Sequence, residues 1–318
     1  MRARSFTLGL MLLAGACDPA PQPDSDEPPI DLPHPDDIAL EEACPLEDRI
    51  GGFVVQATET YTTVQGQVSD GVVPVSILEP IHTEGDCTLL RRNNPYCDPG
   101  CASHEVCDFD GSCSAYPEPQ DLGVVTIAGL AEAVEISPAM PGYNYFSTSL
   151  PHPAMSPGDT IRVQADADDW ADLELWGVGV EPLVIDAPEP WSVAGGEPLD
   201  LEWKPPSSAS WGEIRFSLTI DQHGTSPVTL QCDLEDTGAA AIPASTIDAL
   251  LGAGVSGWPR STLSRRTVDS ALQPQGCVEL IVSSPREGDI ALADYIPCDE
   301  TVPCPEPLEC NLELGLCE

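Results

Sequence analysis

The chain has 318 residues, of which 53 are acidic and 12 are basic, so its formal net charge is −41. Such a charge excludes electrostatic attraction to nucleic acid or anionic lipid head groups, and it favours the solubility of an exported protein. With 34 prolines and 26 glycines, the composition indicates short strands and many turns rather than long helices. The length predicts two ordinary domains with a linker.

The N-terminus has the pattern of an export signal. A basic start precedes the apolar run Phe6–Leu13, which is too short to span a bilayer, and the small residues Ala14–Ala16 follow it. Cys17 comes directly afterwards. This arrangement resembles the lipobox of bacterial lipoproteins, in which the cysteine is acylated and becomes the new N-terminus, although Ala14 stands where that family usually has Leu. We predict a signal peptide over residues 1–16 and lipidation of Cys17.

Residues 17–43 are predicted to form a disordered tether. The segment Asp18–Pro29 is rich in proline and acidic residues, and residues 18–43 contain no lysine or arginine. Proline and like charges both extend a chain, and this segment offers few apolar side chains for burial. The composition therefore predicts a stiff spacer between a lipid anchor and a folded body.

Residues 44–186 are predicted to form a first β domain. Phe53–Val68 is rich in β-branched residues, and similar short runs at Val124–Ile127 and Thr160–Gln164 are separated by Pro, Gly and Asp. A cysteine-rich insertion interrupts this domain at residues 87–116. These features predict short strands joined by turns.

Residues 187–297 are predicted to form a second β domain. Period-two alternation in Ile214–Ile220, Val228–Cys232 and Val278–Val282 is typical of sandwich strands. One short amphipathic helix is predicted within Ile242–Leu251. The stretch Leu199–Pro206 resembles the B-strand tryptophan and following prolines of fibronectin type III domains, which implies a similar sandwich. The predicted fold class is therefore all-β, with two sandwich-like domains.

The 13 cysteines predict an oxidising compartment, because acylation of Cys17 would leave twelve that can pair completely. Two clusters, at residues 97–113 and in the C-terminal segment 298–318, look like copies of one small knuckle. Neither contains the C-x2-C pair of a typical zinc site, so disulfides are favoured. Each cluster allows three connectivities. The predicted bonds are Cys44–Cys87, Cys97–Cys107, Cys101–Cys113, Cys232–Cys277, Cys298–Cys310 and Cys304–Cys317.

The whole arrangement resembles cell-surface lipoproteins of the myxobacterial type. The likeness rests on the Cys17 start, the acidic Pro-rich tether, the cluster Cys97–Cys113 and the segment Cys232–Pro243. It implies a location in the cell envelope, at the outer membrane or cell surface, and a β-rich body. It implies no activity.

Asp236-Thr-Gly-Ala spells the aspartic-protease signature, in which two such aspartates share a proton. Glu235 stands where that pattern needs an apolar residue, and the sequence contains no second Asp-Thr-Gly or Asp-Ser-Gly. Leu250-Leu251-Gly252 also follows too closely to be the signature's distant apolar segment. A polar turn is therefore the favoured interpretation of Asp236.

An acidic loop is the best candidate for a cation site. Calcium could relieve the mutual repulsion of four aspartates in this loop, namely Asp166, Asp168, Asp169 and Asp172. Ala171 occupies the position of the EF-hand glycine, and acidic runs usually just face water, so a solvated loop is favoured over a metal site.

These patterns predict a non-catalytic, membrane-anchored envelope lipoprotein with a structural, adhesion or binding role. We expect no cofactor and no nucleic-acid partner, and an unidentified protein or glycan as ligand. Two alternatives remain open at this point. The chain could be a secreted aspartic-type hydrolase that uses Asp236, or a calcium-dependent adhesion module.

Overall fold

The computed structural model describes residues 31–170, 172–185, 190–207, 211–220, 227–255, 259–293, 296, 298, 301–312 and 316–317. The predicted signal peptide, Cys17 and most of the predicted tether lie outside these residues. Leu32–Glu318 forms one compact unit. Its architecture is all-β, as the sequence predicts.

The strands of the first half of the chain are short and follow one another closely. They are β1 (Arg49–Ala57), β2 (Thr62–Val68), β3 (Leu78–Glu84), β4 (Cys87–Arg92), β5 (Glu105–Cys107), β6 (Cys113–Ala115), β7 (Val125–Ala128), β8 (Val134–Ile136), β9 (Tyr145–Ser147), β10 (Thr160–Ala165) and β11 (Glu174–Val178). Single 3₁₀ turns occur at Pro35–Asp37, Pro74–Ser76 and Asp168–Trp170.

The second half contains two long strands and the predicted helix. The strands are β12 (Trp191–Val193), β13 (Leu199–Glu202), β14 (Glu213–Thr219), β15 (Val228–Leu234), β16 (Ala239–Ile242), β17 (Arg260–Gln273), β18 (Gly276–Gly288), β19 (Ile290–Leu292), β20 (Cys310–Asn311) and β21 (Leu316–Cys317). The helix is α1 (Ala244–Gly252), and within the described residues no helix has the length and apolar character needed to cross a bilayer.

One nine-stranded sheet dominates the molecule, with the strand order β3-β4-β15-β14-β17-β18-β1-β2-β9. It takes strands from both sides of the predicted domain boundary at residues 186/187, because β4 pairs with β15 and β1 pairs in parallel with β18. The prediction of two separate sandwiches divided at this boundary is therefore wrong. Period-two alternation identifies a strand but carries no information about its partner, so these long-range pairings were not visible in the sequence.

A first hydrophobic core lies between one end of the large sheet and a four-stranded sheet of order β11-β10-β7-β8. Phe53 of β1 and Leu280 of β18 face Ile127, Val163 and other residues of the smaller sheet. The two sheets approach closely at Gly177, where a Cβ atom would lie 2.5 Å from a methyl carbon of Val282. Strands of the first predicted domain thus build this core together with β18, which comes from the second predicted domain.

A second hydrophobic core lies on the same face of the large sheet, over β4, β15, β14 and the first part of β17. It is covered by α1 and by two strand pairs, β12 with β19 and β13 with β16. Phe216 of β14 makes an edge-on contact with Trp191, at 5.7 Å between ring centroids. In the register of the sheet, Phe216 lies opposite Leu263, and Thr267, four residues along the same strand, lies opposite Val282 of the first core. Both cores therefore share one face of one sheet.

The six disulfides of the structure differ from the predicted set at two bonds. The four bonds within the knuckles are the predicted ones, Cys97–Cys107, Cys101–Cys113, Cys298–Cys310 and Cys304–Cys317. The predicted Cys44–Cys87 and Cys232–Cys277 are wrong, because Cys44 bonds to Cys277 and Cys87 bonds to Cys232. Cys87 and Cys232 face each other across β4 and β15, whereas two strands separate β15 from β18.

The end of the predicted tether is part of the folded body. The carbonyl oxygen of Pro33 accepts a hydrogen bond from the Thr160 hydroxyl at 2.7 Å, and Asp36 accepts one from the Trp211 indole at 3.0 Å. The backbone N–H of Glu41 donates to Asp269 Oδ1 at 2.8 Å. The prediction of disorder up to residue 43 is therefore wrong for this portion. Residues of this segment form hydrogen bonds with β10, Trp211 and β17, and its composition did not predict these contacts.

Candidate functional site

Asp236, the residue of the protease-like motif, forms a buried ion pair with Arg265 of β17. Arg265 Nε lies 2.5 Å from Asp236 Oδ2, and its Nη2 lies 3.0 Å from Oδ1, so the contact is bidentate. Both side chains are only 2% exposed. A paired carboxylate and guanidinium, bonded through two parallel contacts, is a strong and geometrically specific arrangement.

Further hydrogen bonds satisfy the remaining polar groups of this pair. Trp203 Nε1 donates to Asp236 Oδ1 at 2.8 Å. Arg265 also donates to the carbonyl oxygens of Glu181 and Lys204, at 3.0 and 2.9 Å. Because Leu263 of the same strand belongs to the second core and Thr267 lies opposite Val282 of the first, the ion pair sits at the junction of the two cores.

This environment does not match that of an aspartic-protease aspartate. Such a residue shares a proton with a second carboxyl group and faces a cleft, whereas the carboxylate of Asp236 is enclosed and bonded to a cation. Leu250 of the following apolar segment lies within α1 and is fully buried in the second core. The favoured interpretation of the motif as a turn agrees with the structure, since Asp236 and Thr237 lie between β15 and β16.

The four aspartates of the calcium hypothesis do not converge. Asp166 Oδ1 accepts a hydrogen bond from the Val124 N–H at 2.6 Å, while Asp168 and Asp169 lie in a 3₁₀ turn that buries Trp170. In the described part of the chain, the clusters whose ligand atoms lie within 4.8 Å of one another consist of cysteines alone. The acidic loop is organised around a backbone contact and a buried indole.

Those cysteine clusters are the two knuckles. The sulfur atoms of Cys97, Cys101 and Cys113 lie close together, as do those of Cys298, Cys304 and Cys317. Every one of them belongs to a disulfide. Metal binding requires a thiolate, so the oxidised knuckles cannot supply the ligands of a zinc site.

Much of the face of the large sheet opposite the two cores is polar, beside an apolar row of Val268, Ile281 and Val54 on the same face. In the register of the strands, Arg266 lies opposite Ser283, Ser283 opposite Gln56, and Gln56 opposite Thr63. Neighbouring rows continue the pattern with Ser217 opposite Thr262. Because paired residues point to the same side of a sheet, these side chains form one continuous hydroxyl- and amide-rich surface. We call this surface the open face.

A groove of about 640 Å³ lies on the open face where β18 runs past the end of β1. The turn between β1 and β2, residues 58–61, forms one wall, and β17 with the last part of β18 forms the rest. Its lining includes Gln56, Tyr61, Thr262, Ser264, Ser283 and Arg286. Tyr61 is 51% exposed at the rim, while Ser283 on the floor is only 5% exposed.

A pair of opposite charges crosses the groove. Arg286 Nε lies 3.3 Å from Glu59 Oε1, and Arg286 Nη1 donates to the carbonyl oxygen of Pro285 at 2.8 Å. The Arg286 side chain is 15% exposed and that of Glu59 is 73% exposed. This ion pair carries no net charge and presents both donors and acceptors, and Glu287, which also lines the groove, adds a negative charge.

A second polar cluster on the open face is internally satisfied. Arg266 donates to Glu213 Oε1 at 2.7 Å and to Asp233 Oδ1 at 3.1 Å, and Arg215 donates to both oxygens of Asp233. Burial lowers the pKa of the Arg266 guanidinium, the nearby charge of Arg215 lowers it further, and Glu213 and Asp233 oppose the shift. The two positive and two negative charges of this cluster neutralise one another.

Sequence reasoning missed the groove entirely. Its residues come from the β1–β2 turn and from two strands that lie about 200 positions later in the sequence. The only available signal was the alternation within β17 itself, where Thr262 and Ser264 flank the buried Leu263. That pattern marks a solvent-side face but does not reveal which turn stands beside it.

The comparisons with known proteins do not assign a family. No family model matches the chain, and no curated protein matches it. A similar solved structure is that of the FN1–FN3 domains of chicken CNTN1, with 8% sequence identity, 70% of this chain and 69% of that chain covered, and a TM-score of 0.17. The case for function therefore depends on the chain's own residues.

Proposed function

We propose that this chain is an exported, lipid-anchored envelope protein whose body serves as a non-catalytic binding module. The observation that carries the proposal is the use of cysteine. All twelve cysteines after Cys17 bond with one another in six disulfides. A full set of disulfides is typical of an oxidising compartment, and it is consistent with the thiol of Cys17 being reserved for acylation.

The placement of the Cys44–Cys277 bond supports attachment through the N-terminus. Cys277 belongs to β18, which lies inside the large sheet between β17 and β1. The N–H of Cys44 donates to Glu279 Oε1 at 2.7 Å, and the Ser270 hydroxyl donates to the carbonyl oxygen of Glu42. A pull on the N-terminal segment would therefore be transmitted into the centre of the sheet rather than peeling an edge strand.

The state of Asp236 supports a non-catalytic role over the hydrolase alternative. A general acid or base has to reach its substrate, and Asp236 is 2% exposed in its contact with Arg265. An exported binding module also accounts for the polar open face. We place the protein at the outer membrane or cell surface, with a ligand outside the cell.

The proposal is tested by mass spectrometry of the mature protein isolated from its native membrane, with and without reduction. The expected result is an acylated N-terminal Cys17, with a mass gain on reduction of two hydrogens for each of the six disulfides. A Cys17→Ser variant should appear in the soluble fraction with the same six bonds. An unprocessed N-terminus or free thiols in the native protein would overturn the proposal.

A further inference from the structure

We propose that the groove on the open face, walled by residues 58–61 and floored by Gln56, Ser264 and Ser283, binds a neutral oligosaccharide. This inference deepens the binding role proposed above and rests on it. The first argument is size, because about 640 Å³ lies within the range of small-molecule sites. The second is chemistry, because the lining is polar where such sites are usually apolar.

The floor of the groove offers polar groups that nothing in the described protein uses. The side chains of Gln56, Thr262, Ser264 and Ser283 make no hydrogen bond with any other described residue. Although the Ser283 residue is only 5% exposed, its hydroxyl reaches the water of the groove. A ligand that enters the groove can therefore use all four of these groups without breaking a hydrogen bond of the protein.

The type of these groups favours a sugar. Hydroxyls and amides both donate and accept hydrogen bonds, which matches a ligand whose own groups are hydroxyls. Tyr61 at the rim adds an aromatic face that can cover the apolar C–H side of a sugar ring, with its phenol left in water. The Arg286–Glu59 pair adds charged donors and acceptors without a net charge.

A peptide strand fits the floor less well. At Gln56, Ser283 and Ser264 each strand is paired on both sides, so its backbone groups are already used in the sheet. Past Ser283 the edge of β18 that faced β1 becomes free, but Pro285 has no N–H to offer there. Binding by strand addition needs such a row of free backbone groups. Recognition at this floor has to use side chains.

The charge of the chain restricts the sugar to a neutral one. The formal net charge of −41 repels an anionic polysaccharide, and the single arginine in the groove is already paired with Glu59. A neutral chain of hexoses meets neither obstacle.

The test is calorimetric titration of the mature, fully oxidised protein with cellohexaose, maltohexaose and chitohexaose, and with hexagalacturonate as the anionic comparator. We expect saturable binding of at least one neutral hexamer. Ser283→Ala should weaken it by about three- to tenfold, because one hydrogen bond is lost. Tyr61→Ala changes an exposed side chain that the fold does not need, and we expect a loss of at least the same size.

Matched controls lie outside the groove. Ser217→Ala removes a hydroxyl from the same open face, and Tyr116→Ala removes a similarly exposed ring, 53% exposed, from the end of the cysteine-rich insertion. Both should bind like the unmodified protein. Binding of hexagalacturonate alone, no binding of any neutral hexamer, or equal losses in the groove and control variants would overturn the proposal. Acylation of Cys17 is measured separately, so failure here is distinguishable from failure of the anchoring proposal.

Discussion

The two cores of this protein use one sheet in different ways. The first is closed mainly by a second sheet, so strands pack on strands, and residues between the strands such as Met155 and Trp170 complete it. The second is closed by α1 and two short strand pairs, and the Cys87–Cys232 bond joins two neighbouring strands of the large sheet at this core. Between them the same sheet face carries a polar contact, the ion pair of Arg265 and Asp236. The boundary between the two cores therefore lies within a single sheet. The long β17–β18 hairpin spans this boundary and joins the two halves into one structure.

The largest expected effect comes from breaking the polar contact at the junction. Arg265→Met leaves Asp236 buried and without its cation, which we expect to destabilise the protein by about 3–5 kcal/mol. Urea unfolding followed by tryptophan fluorescence would measure it, because Trp203 donates to the same carboxylate.

The matched control is Arg215→Met, whose ion pair with Asp233 is much more exposed, with side-chain exposures of 24% and 46%. We expect about 0–1 kcal/mol for this change. Equal losses for the two variants would mean that burial at the junction does not distinguish them, and the role assigned to Arg265 would be wrong.

A second prediction asks whether the two cores unfold together. Leu280→Ala opens a cavity in the first core and Leu218→Ala opens one in the second, and both side chains are fully buried. Each should destabilise the protein by about 2–5 kcal/mol. Because the sheet is continuous, both variants should show one calorimetric transition moved to lower temperature.

The matched control for these cavities is Leu272→Ala, since Leu272 is 80% exposed near the end of β17. Its effect should stay within about 0.5 kcal/mol. Two transitions, of which each core variant moves only one, would restore the division into independent domains that the sequence predicts.

The sequence predicted local features correctly, but it did not predict how segments far apart along the chain pair with one another. Alternation identified β14, β15 and β18, and the bonds predicted within each knuckle, chosen from three possible connectivities, agree with the structure. The bonds of Cys44 and Cys87 depend on which strands are neighbours, and the parallel pairing of β1 with β18 joins segments more than 200 residues apart. Turn and strand patterns carry no information about such pairings, so the domain division and two disulfides were wrong together.

The same distinction applies to the site residues. The motif at Asp236 was visible in the sequence, yet its meaning depended on Arg265, which lies 29 residues away in the sequence. The groove had no motif at all, because Gln56 and Ser283 become neighbours only through the parallel pairing of β1 with β18. Local signals thus located a structural residue, while the candidate binding surface was a product of topology.

The smallest predicted effect is that of a substitution at Tyr145, which lies in the first core. Its hydroxyl accepts a hydrogen bond from the Leu122 N–H at 2.8 Å and donates to the Gly123 carbonyl oxygen at 3.2 Å. Tyr145→Phe should destabilise the protein by about 1–3 kcal/mol at neutral pH, because these backbone groups lose their partner. Tyr116→Phe, at an exposed position, should change little.

The pH dependence of the Tyr145 variant gives a second measurement. Burial, with added repulsion from Asp121 and Asp166, raises the pKa of Tyr145 to about 12 from its usual 10, against a lowering by the Leu122 hydrogen bond. The folded state therefore holds this proton more tightly than the unfolded state. The resulting stability is fully present below pH 10 and is lost as the pH rises through about 12. Urea unfolding at pH 9 and about pH 11 should show a steeper loss in the unmodified protein and in Tyr116→Phe than in Tyr145→Phe. Equal slopes would mean that the phenol of Tyr145 is not held in its protonated form by the core.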